Sequence, residues 1–458
     1  MMLITGGKVY TKNGFRMLDI LVKDGKIEKL ATKIKAPEAS SVFDAKGKTI
    51  LPGAIDVHTH FDLDVGFAKA NDDYYTGTVA AACGGTTTIV DHPGFGPEGC
   101  GLNHQIALYH TLAQDKAVID YSFHGVMQRM GDDMLDDLEK LKAQGITSIK
   151  VYMTYAGRLS DEEILRVLKK TKEQGMLVTV HCENNDVVEQ LKAEFVRQGK
   201  TGPEYHPKSR PPLAEAEAIN RVLTLGRMAG DAPLYLVHVS AGISLEYIDF
   251  FRRRGYQNFF VESCPQYLFL DDALYKKPDG LKYILSPPLR AKENQKLLMQ
   301  ALKLGEINTL GTDHCPFNYA QDKQMGKDDF TKCPNGMPGV ETRYPLLISQ
   351  ALEGKISFDT VIKTCAENPA KLFGLYPKKG HIAVGADADL IVLDEKGKGK
   401  ITQKNLHENC DYTPFEGIKT RGRIEAVFSR GEKIVENNDF VGEKGRGKFI
   451  SRKTYQPL

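Results

Sequence analysis

Two rhythms of apolar residues alternate along the chain. Over the first fifty residues the β-forming runs LITGGKVYT, DILVKDGKIEKLA and SVFDAKGKTIL are broken at Asn13-Gly14 and Asp24-Gly25. Such dipeptides favour tight hairpin turns, so a small antiparallel sheet is predicted. From Gly53 onward, apolar strands alternate with helical stretches, the signature of a parallel α/β sheet. Eight strands can be read: GAIDVHTH (53–60), TTTIVDH (86–92), VIDYSFHG (118–125), TSIKVYM (147–153), LVTVHCE (177–183), LYLVHVS (234–240), NFFVESC (258–264) and INTLGTDH (307–314). Between the fourth and fifth, LSDEEILRVLKKTKEQG starts with Ser160, has Glu163 three residues later and stops at Gly175, the marks of a capped helix.

Eight strand-helix units favour a closed barrel over an open doubly wound sheet. After NPAKLFGLYPKKG the short-strand character returns in ADLIVLD, RIEAVFSRG and EKIVENN. The predicted architecture is α/β: a (β/α)8 TIM-like barrel over 53–380 with a small discontinuous β-sandwich domain. Residues 1–52 and 381–440 form that second domain, and the barrel is inserted between them. Residues 441–458 are basic and turn-rich, either a tail or an arm at a subunit interface.

Charge narrows the partners. Lys plus Arg (61) nearly balances Asp plus Glu (59), for a net +2 in 458 residues. That gives no electrostatic case for nucleic acid or an anionic membrane, so a small-molecule partner is expected. Neither a basic start followed by an apolar core nor a run of about 18 apolar residues occurs, and a cytoplasmic protein is expected. The eight cysteines, at 83, 100, 182, 264, 315, 333, 365 and 410, form no C-x-x-C and read as free thiols.

His58 and His60 carry the first chemical signal. Residues two apart on a strand point the same way, so the pair can share one metal. Alone, it fits a polar strand end equally well. Parallel-barrel enzymes, however, assemble their sites at the C-terminal ends of several strands, and His181, His238 and Asp313 fall at the ends of the fifth, sixth and eighth. Four histidines and a carboxylate exceed the four ligands of one tetrahedral site, so two divalent ions fit better, zinc first.

Two dications call for a further anionic bridge. Lys150, among apolar neighbours in the fourth strand, is either salt-bridged there or a neutral amine that adds carbon dioxide. The second option makes it N6-carboxylysine, a carbamate able to bridge two metals, and the other five candidates favour it. Water shared by two metals ionises near neutral pH, which selects hydrolysis. Asp313 is suited to shuttle the proton. Tyr155 is either a donor to the developing oxyanion or a plain loop aromatic.

Other motifs weigh less. GFGPEG (94–99) has Pro97 where an amide is needed, and GEKGRGKF has Phe449 where a phosphate loop needs Ser or Thr. Cys182 and Cys315 each follow a histidine, but adjacent strand residues face opposite ways, which argues against a cysteine–histidine dyad. His92, His104, His110, His124, His206, His381 and His407 read as polar or structural, and His314 as a neighbour that orients Asp313.

With these residues in place the chain resembles the cyclic amidohydrolases, in their dihydropyrimidinase and D-hydantoinase branch. The matching segments are GAIDVHTHFD, GTTTIVD, SIKVYMTY, VTVHCEN, RPPLAEAEAI, LVHVS, ESCPQYL, LSPPLR, GTDHCPF, PNGMPGVETR and GKFISR, covering essentially the whole chain. The resemblance implies a binuclear zinc barrel with His58, His60, His181, His238 and Asp313 as ligands and carboxylated Lys150 as the bridge. It implies Tyr155 as the oxyanion residue, and Ser286 and Asn335 as the residues that hold the cyclic amide. It further implies a homotetramer whose C-terminal segments pack on neighbouring subunits.

The implied reaction is hydrolysis of hydantoins or dihydropyrimidines to N-carbamoyl amino acids, by attack of a bridging hydroxide on the ring carbonyl. Allantoinases, which usually lack the tyrosine, are the alternative. Dihydroorotases usually carry an arginine soon after the H-x-H, absent here. Noncatalytic tetrameric scaffold relatives have lost metal ligands that this chain keeps. The loops LDVGFAKANDD, DHPGFGPEGC and TYAGR depart from the usual hydantoinase pattern. By family position Leu63, Val65, Phe67, Phe95, Tyr152 and Leu159 line the pocket for the ring substituent, which favours an apolar or aromatic one. Lys69 and Arg158 motivate the rival, an acidic substituent.

Overall fold

A computed structural model describes residues 1–35 and 41–458. The chain opens with β1 (Met2–Thr11), β2 (Gly14–Lys23), β3 (Lys26–Ala31), β4 (Ser41–Asp44) and β5 (Thr49–Pro52). Asp24 and Gly25 between β2 and β3 both take positive φ, 51° and 79°. That is the two-residue hairpin loop whose twist matches its strands, which is why Asp-Gly signalled it.

The barrel strands follow: β6 (Ala54–Thr59), β7 (Thr86–Asp91), β8 (Asp120–Phe123), β9 (Gly125–Val126), β10 (Ser148–Tyr152), β11 (Leu177–His181), β12 (Leu234–Leu236), β13 (Phe259–Ser263) and β14 (Thr309–Leu310). They pair in parallel as β6-β7-β8 and β9 through β14. Nearly every strand residue is buried, as expected of a parallel sheet covered by helices. The last gap closes through backbone bonds, Asp313 N–H to His58 O and His60 N–H to His314 O, both 2.9 Å.

Three strands differ from their predicted spans, for local reasons. The third is split at His124 into β8, which pairs with β7, and β9, which pairs with β10. The sixth and eighth leave the ladder early. His238 and Asp313 adopt positive φ, 41° and 55°, a conformation incompatible with a continuing strand. The helix Asp161–Gln174 has the predicted capping box at Ser160 and Glu163, and Gly175 ends it in a left-handed conformation.

The chain then returns to its first sheet through β15 (Leu390–Lys400), β16 (Lys419–Ser429), β17 (Glu432–Glu436) and β18 (Asp439–Phe440). The order is β18-β17-β16-β15-β5-β1-β2-β3, with β4 alongside β1. Both terminal segments share one core, in which Ile4, Val9, Ile20, Ile50, Leu390 and Phe428 pack together. Each such side chain contributes about 1.5–3 kcal/mol of burial free energy. The architecture is thus a (β/α)8 barrel with a discontinuous β-sandwich-like sheet.

A buried ion cluster ties sheet to barrel. Lys379 Nζ lies 2.8 Å from Asp120, 3.0 Å from Asp387 and 2.6 Å from Asp389. Below it the basic C-terminal segment is bound along its own barrel rather than free: Lys448 and Ile450 bond Tyr121, and Arg452 N–H bonds Gly145 O. All eight cysteines are free. Among the described residues no helix is long and apolar enough to cross a membrane.

Candidate metal centre

The ends of β6, β10 and β11 and the turns after β12 and β14 bring His58, His60, Lys150, His181, His238 and Asp313 into one buried cluster. His58 and His60 both face Asp313, whose Oδ1 is 3.2 Å from His58 Nε2 and 3.1 Å from His60 Nε2. On the other side His238 Nε2 meets His181 Nδ1 at 2.9 Å. The halves adjoin, with the rings of His58 and His238 stacked 5.3 Å apart. The ligand atoms of His58, His238 and Asp313 lie within 4.8 Å of one another.

The electrostatics suit cations. Burial opposes ionisation of Asp313, but His58 and His60 outweigh it and hold the carboxyl well below its usual range. Burial, then the neighbouring His181, pushes His238 well below the ordinary imidazole value, leaving it neutral with a lone pair to donate. Burial likewise disfavours charged His58, yet Glu262 raises it to about 9. His60 Nδ1 is buried without a hydrogen-bond partner among the described residues, and His58 Nε2 has only the Asp313 carboxylate before it. Buried imidazole nitrogens left this way, opposite a carboxylate, fit divalent ions.

Lys150 is 1 % exposed. It has no ion-pair partner among the described residues, and the Tyr152 ring lies 5.3 Å from its Nζ. Burial brings its pKa down to about 8, against the pull of Asp313 and Glu262. Among the described residues no carboxylate stands within ion-pair distance of Lys150, and Asp313 and Glu262 act on it only from further away.

Tyr155, held at φ 72°, sets its ring 5.2 Å from that of His181. Burial pushes its phenol up to about 12, against the nearby Arg210. The Ser286 hydroxyl lies within hydrogen-bonding reach of the Tyr155 phenol, and Asn335 Oδ1 is buried with no hydrogen-bond partner among the described residues.

Several residues here were not singled out from sequence. Glu262 accepts from His58 Nδ1 at 2.6 Å and from the His238 backbone at 2.9 Å. Its pairing with His58 needs a glycine next door, since a Cβ on Gly311 would sit 2.6 Å from Glu262 and 2.8 Å from His58. Glu183, two residues past His181, bonds its Nε2 at 2.8 Å and is held by Arg210 at 2.6 Å. The H-x-E spacing was a usable signal for Glu183. His92, read as structural, lies in the cluster itself, with its ring 4.5 Å from that of His58. His314 does not orient Asp313: its Nε2 bonds Asp72 at 3.0 Å, and its Nδ1 accepts from Gly339 and Val340.

Around the mouth, Phe95 packs edge-on to Tyr152 at 5.0 Å. A Cβ on Gly157 would come within 2.7 Å of the Phe95 ring, so glycine is what lets the aromatic lie there. Val65 and Phe67 stand exposed nearby in sequence, and Leu159 is buried with its N–H on Tyr152 O. Lys69 is paired with Asp62 at 2.9 Å, and Arg158 reaches the Tyr155 carbonyl at 3.4 Å.

A parallel barrel with imidazoles and a carboxylate gathered at its strand ends defines a class of metal-dependent hydrolase. The chain belongs to the amidohydrolase family, whose model matches residues 49–434. Within it the chain groups with the hydantoinases and dihydropyrimidinases. A D-phenylhydantoinase of Escherichia coli O1:K1 is 46% identical over 456 residues, 99% of both chains. Among solved structures, a dihydropyrimidinase from Brevibacillus agri superposes with a TM-score of 0.96 at 43% identity, covering 99% of each chain. A D-hydantoinase from Bacillus sp. AR9 reaches 0.97 at 42%, covering 100% of each.

Proposed function

We propose that the protein hydrolyses the cyclic amide bond of hydantoins or dihydropyrimidines to give N-carbamoyl amino acids. The observation that carries this reading is the meeting of His58, His60, His181, His238 and Asp313 in one cluster at the strand ends, in a chain that resembles hydantoinases end to end. The ligands are those five residues together with Lys150, which supports two divalent ions, zinc by donor type. When bound, such a pair ionises water near neutral pH and polarises the carbonyl.

The chain's own groups do the rest. Lys150, neutral in part because burial lowers its pKa to about 8, adds through its nitrogen lone pair to carbon dioxide and releases one N–H proton, becoming N6-carboxylysine. Asp313 takes the proton of the attacking water and passes it to the leaving ring nitrogen. Tyr155, protonated at neutral pH, donates to the oxygen on which charge develops. Ser286, beside Tyr155, and Asn335 offer polar groups to the ring amide. Phe95 and Tyr152 supply an aromatic wall for an apolar 5-substituent, while the Lys69–Asp62 pair weakens the case for an acidic one. By resemblance the working form is a cytoplasmic homotetramer.

Metal analysis combined with ring-opening assays on 5-phenylhydantoin and dihydrouracil tests the reading. About two ions per chain, with turnover abolished by chelation, is the expected result. Metal-free, inert protein would overturn it in favour of a scaffold, and selective turnover of allantoin would favour an allantoinase.

A further inference from the structure

We propose that His92 completes a three-imidazole site with His58 and His60, able to hold one divalent ion before Lys150 is carboxylated. The inference rests on the metal reading above. His92 follows the last residue of β7, and its N–H bonds Thr59 O at 2.9 Å. That register sets it beside the strand end from which His58 and His60 emerge. Its ring is 4.5 Å from that of His58 and 5.4 Å from that of His60. One ligand atom from each of the three lies within 4.8 Å of the others.

The face of His92 is fixed while its edge is free. It stacks on His124 at 3.9 Å and 11°. His124 is itself locked: Nε2–H donates to Val57 O at 3.0 Å, and Nδ1 accepts from Ser148 Oγ at 2.7 Å. Ser148 Oγ also accepts from Arg452 at 2.9 Å; the Val57 carbonyl can only accept, so the proton of the neutral His124 ring sits on Nε2 and Nδ1 is left to accept from Ser148. Both ring nitrogens of His92 are nevertheless buried with no hydrogen-bond partner among the described residues. A buried imidazole with two idle nitrogens calls for an explanation, and an unplaced ion is one.

Three imidazoles with an open fourth position are a sufficient donor set for zinc, His58 giving up its Nε2 proton as the ion binds. Each zinc–nitrogen distance is about 2.0–2.1 Å, so an ion draws the three rings inward from their present spacing. No anion is needed, which makes this site independent of the carbamate. In the complete centre Asp313 and carboxylated Lys150 join His58 and His60 on that side. His92 then stands as the group that held the first ion.

Metal content and cobalt(II) visible absorption of purified variants test this without reference to turnover. Wild type is expected to hold about two ions per chain, Lys150→Ala about one, and Lys150→Ala/His92→Asn about none. Lys150→Ala/His181→Asn, which alters the opposite side, should still hold about one and keep the Lys150→Ala cobalt spectrum. His92→Gln in the same background guards against a folding defect, and thermal melts accompany every variant. An unchanged metal content on replacing His92, or a metal-free Lys150→Ala, would overturn the inference while leaving the two-ion reading intact. A metal-free wild type would instead sink the metal reading itself, and this inference with it.

Discussion

The imidazole of His58 and the carboxylate of Glu262 meet at 2.6 Å although 204 residues separate them. Glu262 also accepts from Tyr235 OH at 2.8 Å and from the His238 N–H at 2.9 Å. One carboxylate therefore orients the ring of one candidate ligand and the backbone of another. Glu262→Gln should leave the fold intact and weaken metal affinity about 10–100-fold. Competition with a chromophoric chelator measures it, and equal affinity in variant and wild type would refute the orienting role.

Lys150→Ala should lose at least one ion and its turnover. With the folded pKa near 8 rather than the ordinary 10.5, the neutral amine fraction rises roughly tenfold per pH unit below 8 and levels off above it. Reactivation of apoprotein with metal at fixed dissolved carbon dioxide should follow that curve. A rate still climbing steeply at pH 9.5 would show an unperturbed lysine.

Tyr155→Phe should lower kcat about 10²–10³-fold with a much smaller change in KM, because the lost hydrogen bond is made to charge that develops only in the transition state. A variant changed in KM alone would assign Tyr155 to ground-state binding.

Acid stability depends on Glu183. Burial opposes its ionisation, but Arg210 at 2.6 Å and His181 bring it down to about 2 from 4.5. A folded pKa below the unfolded one contributes stability above about 4.5 that is lost as pH falls toward 2. Glu183→Gln should remove that dependence and cost about 3–5 kcal/mol, since it strands a buried guanidinium. Denaturant melts between pH 3 and 7 would show a flat difference if the pair contributed nothing.

For substrate choice, Phe95→Ala should lower kcat/KM on 5-phenylhydantoin about tenfold or more relative to dihydrouracil. Lys69→Ala should leave the ranking unchanged, because its charge is engaged by Asp62. A carboxyalkyl-hydantoin that loses its rate only in Lys69→Ala would reverse the assignment.

The clearest signals in the sequence were those set by local periodicity. His58 and His60 share a face because a strand repeats every two residues, and Asp24-Gly25 dictated its hairpin because both residues accept positive φ. Lys150 stood out as a charge inside an apolar run. Glu262 and His92 did not stand out. The partners of Glu262 come from β6 and β12, and nothing in VESC points to them. His92 closes the predicted strand TTTIVDH just before Pro93, and its meaning lies in a stack with His124 across two strands. The early ends of β12 and β14 were hidden for a related reason: LYLVHVS and INTLGTDH are apolar enough to continue, and only the positive φ at His238 and Asp313 breaks them.

The pairing of β5 with β15, Leu51 against Ile391, has a consequence for how the molecule is made. The whole barrel lies between those two strands in the chain, so a ribosome exposes β5 long before its partner β15 exists. Until β15 and β16 arrive, β5 presents an open edge of Thr49, Ile50 and Leu51, the kind of apolar border that recruits strands from other molecules. Contacts this distant in sequence also slow the search for the native topology. Nascent chains stalled within the barrel should therefore be the most aggregation-prone species in the life of this protein, and shielding of that edge during synthesis should govern the yield of folded enzyme.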